Sequence, residues 1–382
     1  MRLPVIICAA LTALCLTPCK AVEIAESAVS VEESPTWVIP TSHYIKSIGV
    51  HSALTQHLKY SFRFAQGTRE SYFYPTAYQG IGLANTVFLE NSKLGHPLSL
   101  YVFQGARLAK LGSRLSLDYE WNFGVSALWK AYDNEKNPEN GAVGSPVNAA
   151  LTLGLRLHYR LDNRWALTAG IDGSHYSDGN SKLPNGGVNT ASVRVGVSYS
   201  FDARQSEKTA GQYSFEPGME YDVLLFGAPV QRMYTDDAGD LNLLDRTFFV
   251  GGISVTPMYA FHPMFCAGVS ADFTYDDSAS LDKNRVPGLS GDDVKFYRQP
   301  FKERFSVGLA LHAQLNMPIF SINVGLGRNV IAKGHDMAAF YQSLVLKAYI
   351  YKGSFINIGY QLHNFHEPNH LMLGIGYTFG KR

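Results

Sequence analysis

The stretch Asn189–Phe201, NTASVRVGVSYSF, decides the fold. Its odd positions are Asn189, Ala191, Val193, Val195, Val197, Tyr199 and Phe201; its even positions are Thr190, Ser192, Arg194, Gly196, Ser198 and Ser200. Successive side chains of a strand point to opposite faces, so one face is apolar and ends in aromatics while the other is polar. A soluble sheet would turn its apolar face to a core. A membrane barrel turns it to lipid and lines the lumen with the polar face.

The same alternation recurs to either side. Val147–Leu161 and Arg304–Met317 show it less strictly, and His370–Phe379 places Leu371, Leu373, Ile375, Tyr377 and Phe379 on one parity. Further strands are expected to begin near Leu58, Tyr78, Pro97, Ser113, Arg164, Tyr213, Arg246, Met264, Phe320, Phe340 and Phe355. Gly376-Tyr377-Thr378-Phe379 resembles the terminal Gly-aromatic-x-aromatic signal of outer-membrane proteins, followed here by Gly380-Lys381-Arg382. Past the N-terminal region no segment has the roughly 18 consecutive apolar residues of a membrane helix. The expectation is an all-β chain forming a single closed transmembrane antiparallel barrel of about 14 strands, bounded by about 12 and 16, over residues 42–382. The two halves end alike, in VGVSYSF and LGIGYTF, and Ala203–Gln212 reads as a loop or as a boundary between them. One continuous sheet is the preferred reading. Polar segments around 134–144, 275–291 and 333–337 are expected as extracellular loops.

Composition agrees. Only 17% of the 382 residues are charged, while aromatics reach 13% and there are 35 Gly. Barrels use aromatic girdles at both interfaces and few charges on the lipid side. A formal net charge of +1 gives no sign of a nucleic-acid partner. Arg2, the apolar run Leu3–Leu16 and small or polar residues to Ala21 read as a signal peptide, residues 1–21, for export to the bacterial outer membrane. A rival reading makes Cys19 a lipidated cysteine, against which Pro18 is a poor fit. After cleavage only Cys266 remains, so no internal disulfide is expected. Residues 22–41 read as a periplasmic lead-in.

Chemistry concentrates in Ser174–Asn189, SHYSDGNSKLPNGGVN. His175 and Ser177 share parity with Trp165, Leu167, Ala169 and Ile171, which puts both polar residues on the lipid-side face. Residues two apart on a strand have Cβ atoms roughly 6–7 Å apart, within reach of an imidazole–hydroxyl contact. His175 as general base and Ser177 as nucleophile are the minimum for ester cleavage. Asn189 opens the next strand on the same parity, so a hairpin brings it near His175. The bland reading of the same residues is a polar surface loop.

His-x-Ser-x-Gly, then Pro-Asn-x-Gly-x-Asn and a strand, resembles the active-site segment of the lipid A 3-O-deacylase family, also called acyloxyacyl hydrolases. The likeness is specific over Ile171–Phe201 and looser from Tyr119-Glu120-Trp121-Asn122-Phe123-Gly124 onward. It implies an outer-membrane esterase removing an acyl chain from the lipid A of lipopolysaccharide, with His175 and Ser177 as base and nucleophile. It also implies an oxyanion hole around Asp178, Gly179 and Asn180, and a residue orienting the histidine at Asn189. Two positions depart from the family: Asp178 stands where Asn is expected, and Asn189 where a glutamate is. An ionised Asp178 would repel an oxyanion, whereas a protonated Asp178 or a repositioned Asn180 could serve. Asp172, by parity, belongs to the lumen, and Glu120 has no assigned role, its bland reading being a lumen or interface polar residue.

Other clusters are weaker. His363, His366 and His370 could hold a metal but read better as flanking a Pro-Asn turn, and Asp276, Asp277, Asp282, Asp292 and Asp293 read as solvated loop charge. No cofactor and no metal are expected. The expected partners are lipid A and outer-membrane lipids, with a homodimer left open. The reading from another class is a porin-like or structural barrel carrying a relic of the site.

Overall fold

The computed structural model describes residues 24–89, 93–202, 213–289, 293–297, 299–334, 337, 340–365 and 367–380. The signal-peptide segment, with Cys8, Cys15 and Cys19, and the segment 203–212 lie outside the described residues. The chain divides into two units, each an all-β antiparallel closed barrel of eight strands. The first comprises β1 (Ile24–Ile39), β2 (Ser52–Phe64), β3 (Tyr78–Phe88), β4 (Gly95–Lys110), β5 (Leu115–Trp129), β6 (Val147–Arg160), β7 (Trp165–Ser177) and β8 (Val188–Ser200). The second comprises β9 (Gly218–Thr235), β10 (Leu241–His262), β11 (Phe265–Asp276), β12 (Phe305–Asn316), β13 (Phe320–Ala332), β14 (Phe340–Tyr351), β15 (Ser354–His363) and β16 (Glu367–Phe379).

This corrects the expectation of a single barrel of about 14 strands. Each set of eight closes on itself. β1 pairs with β8 from Ala28↔Ser200 to Ile39↔Asn189, and β16 pairs with β9 from Leu373↔Gly227 to Phe379↔Tyr221. Alternation tells which face of a strand meets lipid, but it does not encode which strands meet at closure. The lead-in expected at 22–41 is likewise corrected, because Ile24–Ile39 is a barrel strand. Its inward face carries Ser30, Glu32, Ser34 and Thr36, all buried. Its outward face is broken by Glu33 and Pro35, which hides the apolar stripe. Proline lacks an N–H, and the ladder to β8 steps from Glu33↔Val195 to Thr36↔Ser192 around Pro35.

In the first barrel the connections 40–51, 130–146 and 178–187 gather at one end, and the four-residue turns 111–114 and 161–164, with the longer connection 65–77, at the other. Long connections mark the extracellular end and short turns the periplasmic one. The extracellular end is capped: Ile45 and Ile48 of helix α1 (His43–Ile48) pack with Leu94, Trp129, Val143 and Val188. Below the cap three cations meet three carboxylates. Lys59 is 2.7 Å from Glu120, Arg194 is 3.1 Å from Glu32 and 2.9 Å from Asp172, and Arg156 is 2.5 Å from Asp172. Buried ions are costly unless matched, and this balanced set holds its charges in place across the lumen. Asp172 thus has the inward place that parity assigned it, and Glu120 lies in the lumen beside it. A recess of about 230 Å³ enters from the periplasmic end and reaches Lys59, Phe103 and Glu120.

The second barrel is filled by apolar side chains, Leu224, Phe226, Val345, Phe355 and Met372 at mid-height and Val230, Tyr234 and Phe248 nearer its extracellular end, together with buried polar ones, among them Lys347 paired with Asp222 and hydrogen-bonded to Gln314. Cys266 is buried and unpaired.

Candidate active site

β7 and β8 form a hairpin whose register places His175 opposite Asn189 and Gly173 opposite Ala191. The outward parity of β7 carries Ile171, Gly173, His175 and Ser177, so the imidazole and hydroxyl stand on the outer wall at the extracellular end. His175 Nε2 is 3.0 Å from Ser177 Oγ, and His175 Nδ1 is 2.7 Å from Asn189 Oδ1. A carboxamide oxygen only accepts, so Nδ1 carries the proton and Nε2 presents its lone pair to the serine hydroxyl. Asn189 Nδ2 in turn donates to Thr41 Oγ1 at 2.7 Å. The four side chains form one chain of hydrogen bonds, Thr41–Asn189–His175–Ser177.

Thr41 was placed in the lead-in by sequence reasoning and missed as a site residue. Two neighbours fix its position. Ile39 pairs with Asn189 across the β1–β8 closure, and Ser42 caps α1, whose Ile45 and Ile48 anchor in the apolar cap. The signal that could have found it is the run of outward-facing Trp37 and Ile39 just before it.

The loop after Ser177 turns sharply. Gly179 and Asn180 have φ of +62° and +63°, the left-handed region that glycine and asparagine tolerate best. Asp178 is buried beneath them, and its Oδ2 accepts from the Lys182 N–H at 3.2 Å. Burial pushes its carboxyl up to about 7, against the N–H groups of Lys182, Asn180 and Ser181, which lower it. Further along, Gly186 and Gly187 donate to the carbonyls of Gly141 and Ala142 at 3.0 and 2.9 Å, tying the loop to the 130–146 connection.

Beside His175 the outer wall is hollowed. Gly173 and Ala191, register partners, leave a trough edged by Trp37, Leu153, Ile171 and Val193. Elsewhere the same residue types recur without the same setting. In the second barrel His312 Nε2 is 2.9 Å from Ser270 Oγ and Nδ1 is 2.7 Å from Asn323 Oδ1. There Ser270 donates to Asp272 at 2.9 Å inside the lumen, beside a cavity of about 40 Å³, too small for an ester with its acyl chain. His370 is fully buried against Phe226, His363 is 2.8 Å from Asn369, and His366 lies outside the described residues. Asp276 and Asp277 are paired with Arg232 and Arg304. Among the described residues no group of three or more His, Cys, Asp or Glu could hold a metal ion.

The fold and the wall facing lipid define a membrane β-barrel bearing side chains suited to acyl transfer at an apolar surface. The family description lipid A 3-O-deacylase (PagL) matches residues 49–198, and the description acyloxyacyl hydrolase, C-terminal domain, matches residues 219–382. The chain belongs to the lipid A 3-O-deacylase family, a family of outer-membrane ester hydrolases. No curated protein matches it. Among solved structures, Neisserial surface protein A is 10% identical with a TM-score of 0.31, over 45% of this chain and 96% of that one. The attachment invasion locus protein Ail of Yersinia pestis is 18% identical with a TM-score of 0.26, over 46% and 98%. The CymD monoaromatic hydrocarbon channel is 10% identical with a TM-score of 0.20, over 98% and 92%.

Proposed function

We propose that this outer-membrane lipid A deacylase works through Ser177, His175 and Asn189 on the outer wall of its first barrel. The observation that carries the reading is the hydrogen-bonded order Ser177–His175–Asn189 on a lipid-facing surface next to an apolar trough. His175 Nε2 takes the hydroxyl proton as Ser177 Oγ bonds to the acyl carbonyl carbon, and the carbonyl oxygen becomes an oxyanion. Collapse breaks the ester C–O bond, and His175 returns the proton to the leaving sugar oxygen. Water, activated by His175, then cleaves the acyl-serine ester, releasing the fatty acid and restoring the hydroxyl. The loop Asp178–Asn180 faces the oxyanion, with Asp178 acting in its protonated form.

Asn189 cannot supply the charge that a carboxylate gives an imidazolium, so it contributes orientation and tautomer. A lipid-side site suits a substrate that never leaves the bilayer: the acyl chain lies along the wall while the ester meets Ser177 at the extracellular rim. Every group in this reading comes from one chain, so catalysis needs no residue from a second copy.

A permeability role is opposed by the apolar cap and the six matched charges that obstruct the first lumen. The test is mass spectrometry of lipid A from cells making the parent chain or Ser177→Ala. Loss of one acyl mass with the parent only is the expected result. Deacylation by the alanine variant removes Ser177 from the mechanism.

A further inference from the structure

The second barrel gathers the connections 236–240, 277–304 and 333–339 at one end and the short turns 263–264, 317–319 and 352–353 at the other. The first set marks its extracellular end. Along β11–β15 the outward side chains among the described residues are uncharged with one exception, Arg328 on β13. Exposed Leu326 and Val330 flank it along the strand, and its register partners are Leu309 on β12 and Phe340 on β14. Its guanidinium stands over the Phe340 ring, 5.3 Å from the centroid. Phe340 opens β14 at the extracellular end, so the charge is turned toward that rim.

Two exposed lysines stand at the rim of the same sector. Lys302 lies on the short helix α2 (Phe301–Arg304), which leads into β12, and Lys333 follows β13 directly. The two segments touch, because a Cβ on Gly334 would come within 2.5 Å of the Glu303 carbonyl oxygen. Among the described residues Arg328, Lys302 and Lys333 make no hydrogen bond and no ion pair. Asp277 is taken by Arg304 at 2.8 Å, which leaves Glu303 as the one described carboxylate beside three unmatched cations. Phe301, largely exposed, stacks on Phe305 at 6.1 Å next to Lys302.

An arginine on a lipid-facing wall extends its head to the interface, and basic groups clustered there draw anionic headgroups. We infer that the β12–β14 sector of the second barrel holds a lipid A molecule without cleaving it. Lipid A matches the sector at two levels. Its sugar phosphates meet the cations, Arg328 through paired N–H donors and the lysines as point charges. Its acyl chains lie along the exposed Leu309, Leu326 and Leu344 below. No histidine or serine is outward among the described residues of β12–β14, so the sector binds and does not hydrolyse. The inference rests on the outer-membrane family of the chain and is independent of the Ser177–His175–Asn189 mechanism.

The test is native mass spectrometry of the full chain in detergent, titrated with bisphosphorylated lipid A. Every sample carries Ser177→Ala, and the readout is bound mass rather than cleavage. The neutral variant combines Arg328→Gln, Lys302→Gln and Lys333→Gln, and heat-modifiable migration on gels reports that it is folded. At saturation it should carry one lipid A fewer than the parent, whatever the first barrel binds. Lys302→Arg with Lys333→Arg should keep the parent's count, and dephosphorylated lipid A should bind parent and neutral variant alike. Were the triple variant not to fold, Lys302→Gln with Lys333→Gln, both outside the strands, should weaken the additional lipid on the order of tenfold. Equal lipid A counts in parent and neutral variant overturn the inference. So do an unchanged affinity in the double variant, an equal loss of dephosphorylated lipid A, and displacement of the additional lipid A by phosphatidylglycerol at equal concentration.

Discussion

Gly187 lies against the imidazole of His175: a Cβ at this glycine would come within 3.1 Å of His175 Cε1. The glycine has a φ of +69° and sits between the loop bonded to Ala142 and the start of β8. The missing side chain at this position leaves the imidazole the room it occupies.

Gly187→Ala therefore strains the backbone and pushes the ring at once. The left-handed conformation costs a non-glycine residue about 1–2 kcal/mol. Displacing the imidazole by a fraction of an ångström should lower kcat on the order of 10- to 100-fold, with KM little changed. Steady-state assay of the purified variant checks this, and an unchanged kcat would show that the ring has room.

Thr41 acts on the same ring through Asn189. Thr41→Val removes one hydrogen bond and frees the amide to turn, so kcat should fall about fivefold, with Thr41→Ser restoring it. Asn189→Asp is isosteric but has two equivalent oxygens and no wrong end. In that background Thr41→Val should have a much smaller effect. An equal loss in both backgrounds would mean that Thr41 acts on something other than amide orientation.

Asp178 gives a pH dependence whose sign follows from its environment. Burial raises its carboxyl from the ordinary 3.8 to about 7, so the folded state holds the proton more tightly than the unfolded chain. Its contribution to stability is fully present below the unfolded value and is lost as pH rises through about 7. Over the same range the ionising carboxylate comes to oppose the oxyanion, so the deacylation rate should fall as pH climbs past 7. Asp178→Asn should flatten that alkaline fall in a pH–rate profile. An alkaline limb identical to the parent's would assign it to another group.

Gly173 faces open space, with nothing within 4 Å of where a Cβ would stand. Gly173→Leu should therefore fold normally but fill the trough beside the site. We expect kcat/KM for lipid A to drop on the order of tenfold or more, while a short-chain water-soluble ester is cleaved nearly as before. Equal losses on both substrates would point to damage at Ser177 instead.

Much of this was legible in the chain. The parity of Asn189–Phe201 holds: Val193, Val195 and Val197 are exposed on the outer wall, and Arg194 is buried in the lumen. The pairing of His175 with Ser177 and Asn189 follows from the same period of two, because a hairpin carries parity across its turn. What parity does not carry is closure. The repeated endings VGVSYSF and LGIGYTF mark the last strands of two sheets, yet nothing in either strand names its partner at the seam. β1 was lost for a related reason. Its outward Glu33 and Pro35 break the apolar stripe that identifies a membrane strand, and with β1 went Thr41. The state of Asp178 was undecidable from sequence because it depends on burial under the Gly179-Asn180 turn.

The two ladders share no strand, since β8 returns to β1 and β16 to β9. A break in the connecting peptide between them would leave every inter-strand bond of both sheets intact. Each half is in this sense a complete inheritable unit, free to be fused, separated or exchanged over evolutionary time without exposing a sheet edge. The amino-terminal half could then keep its proposed chemistry while the carboxy-terminal half changed its outer wall.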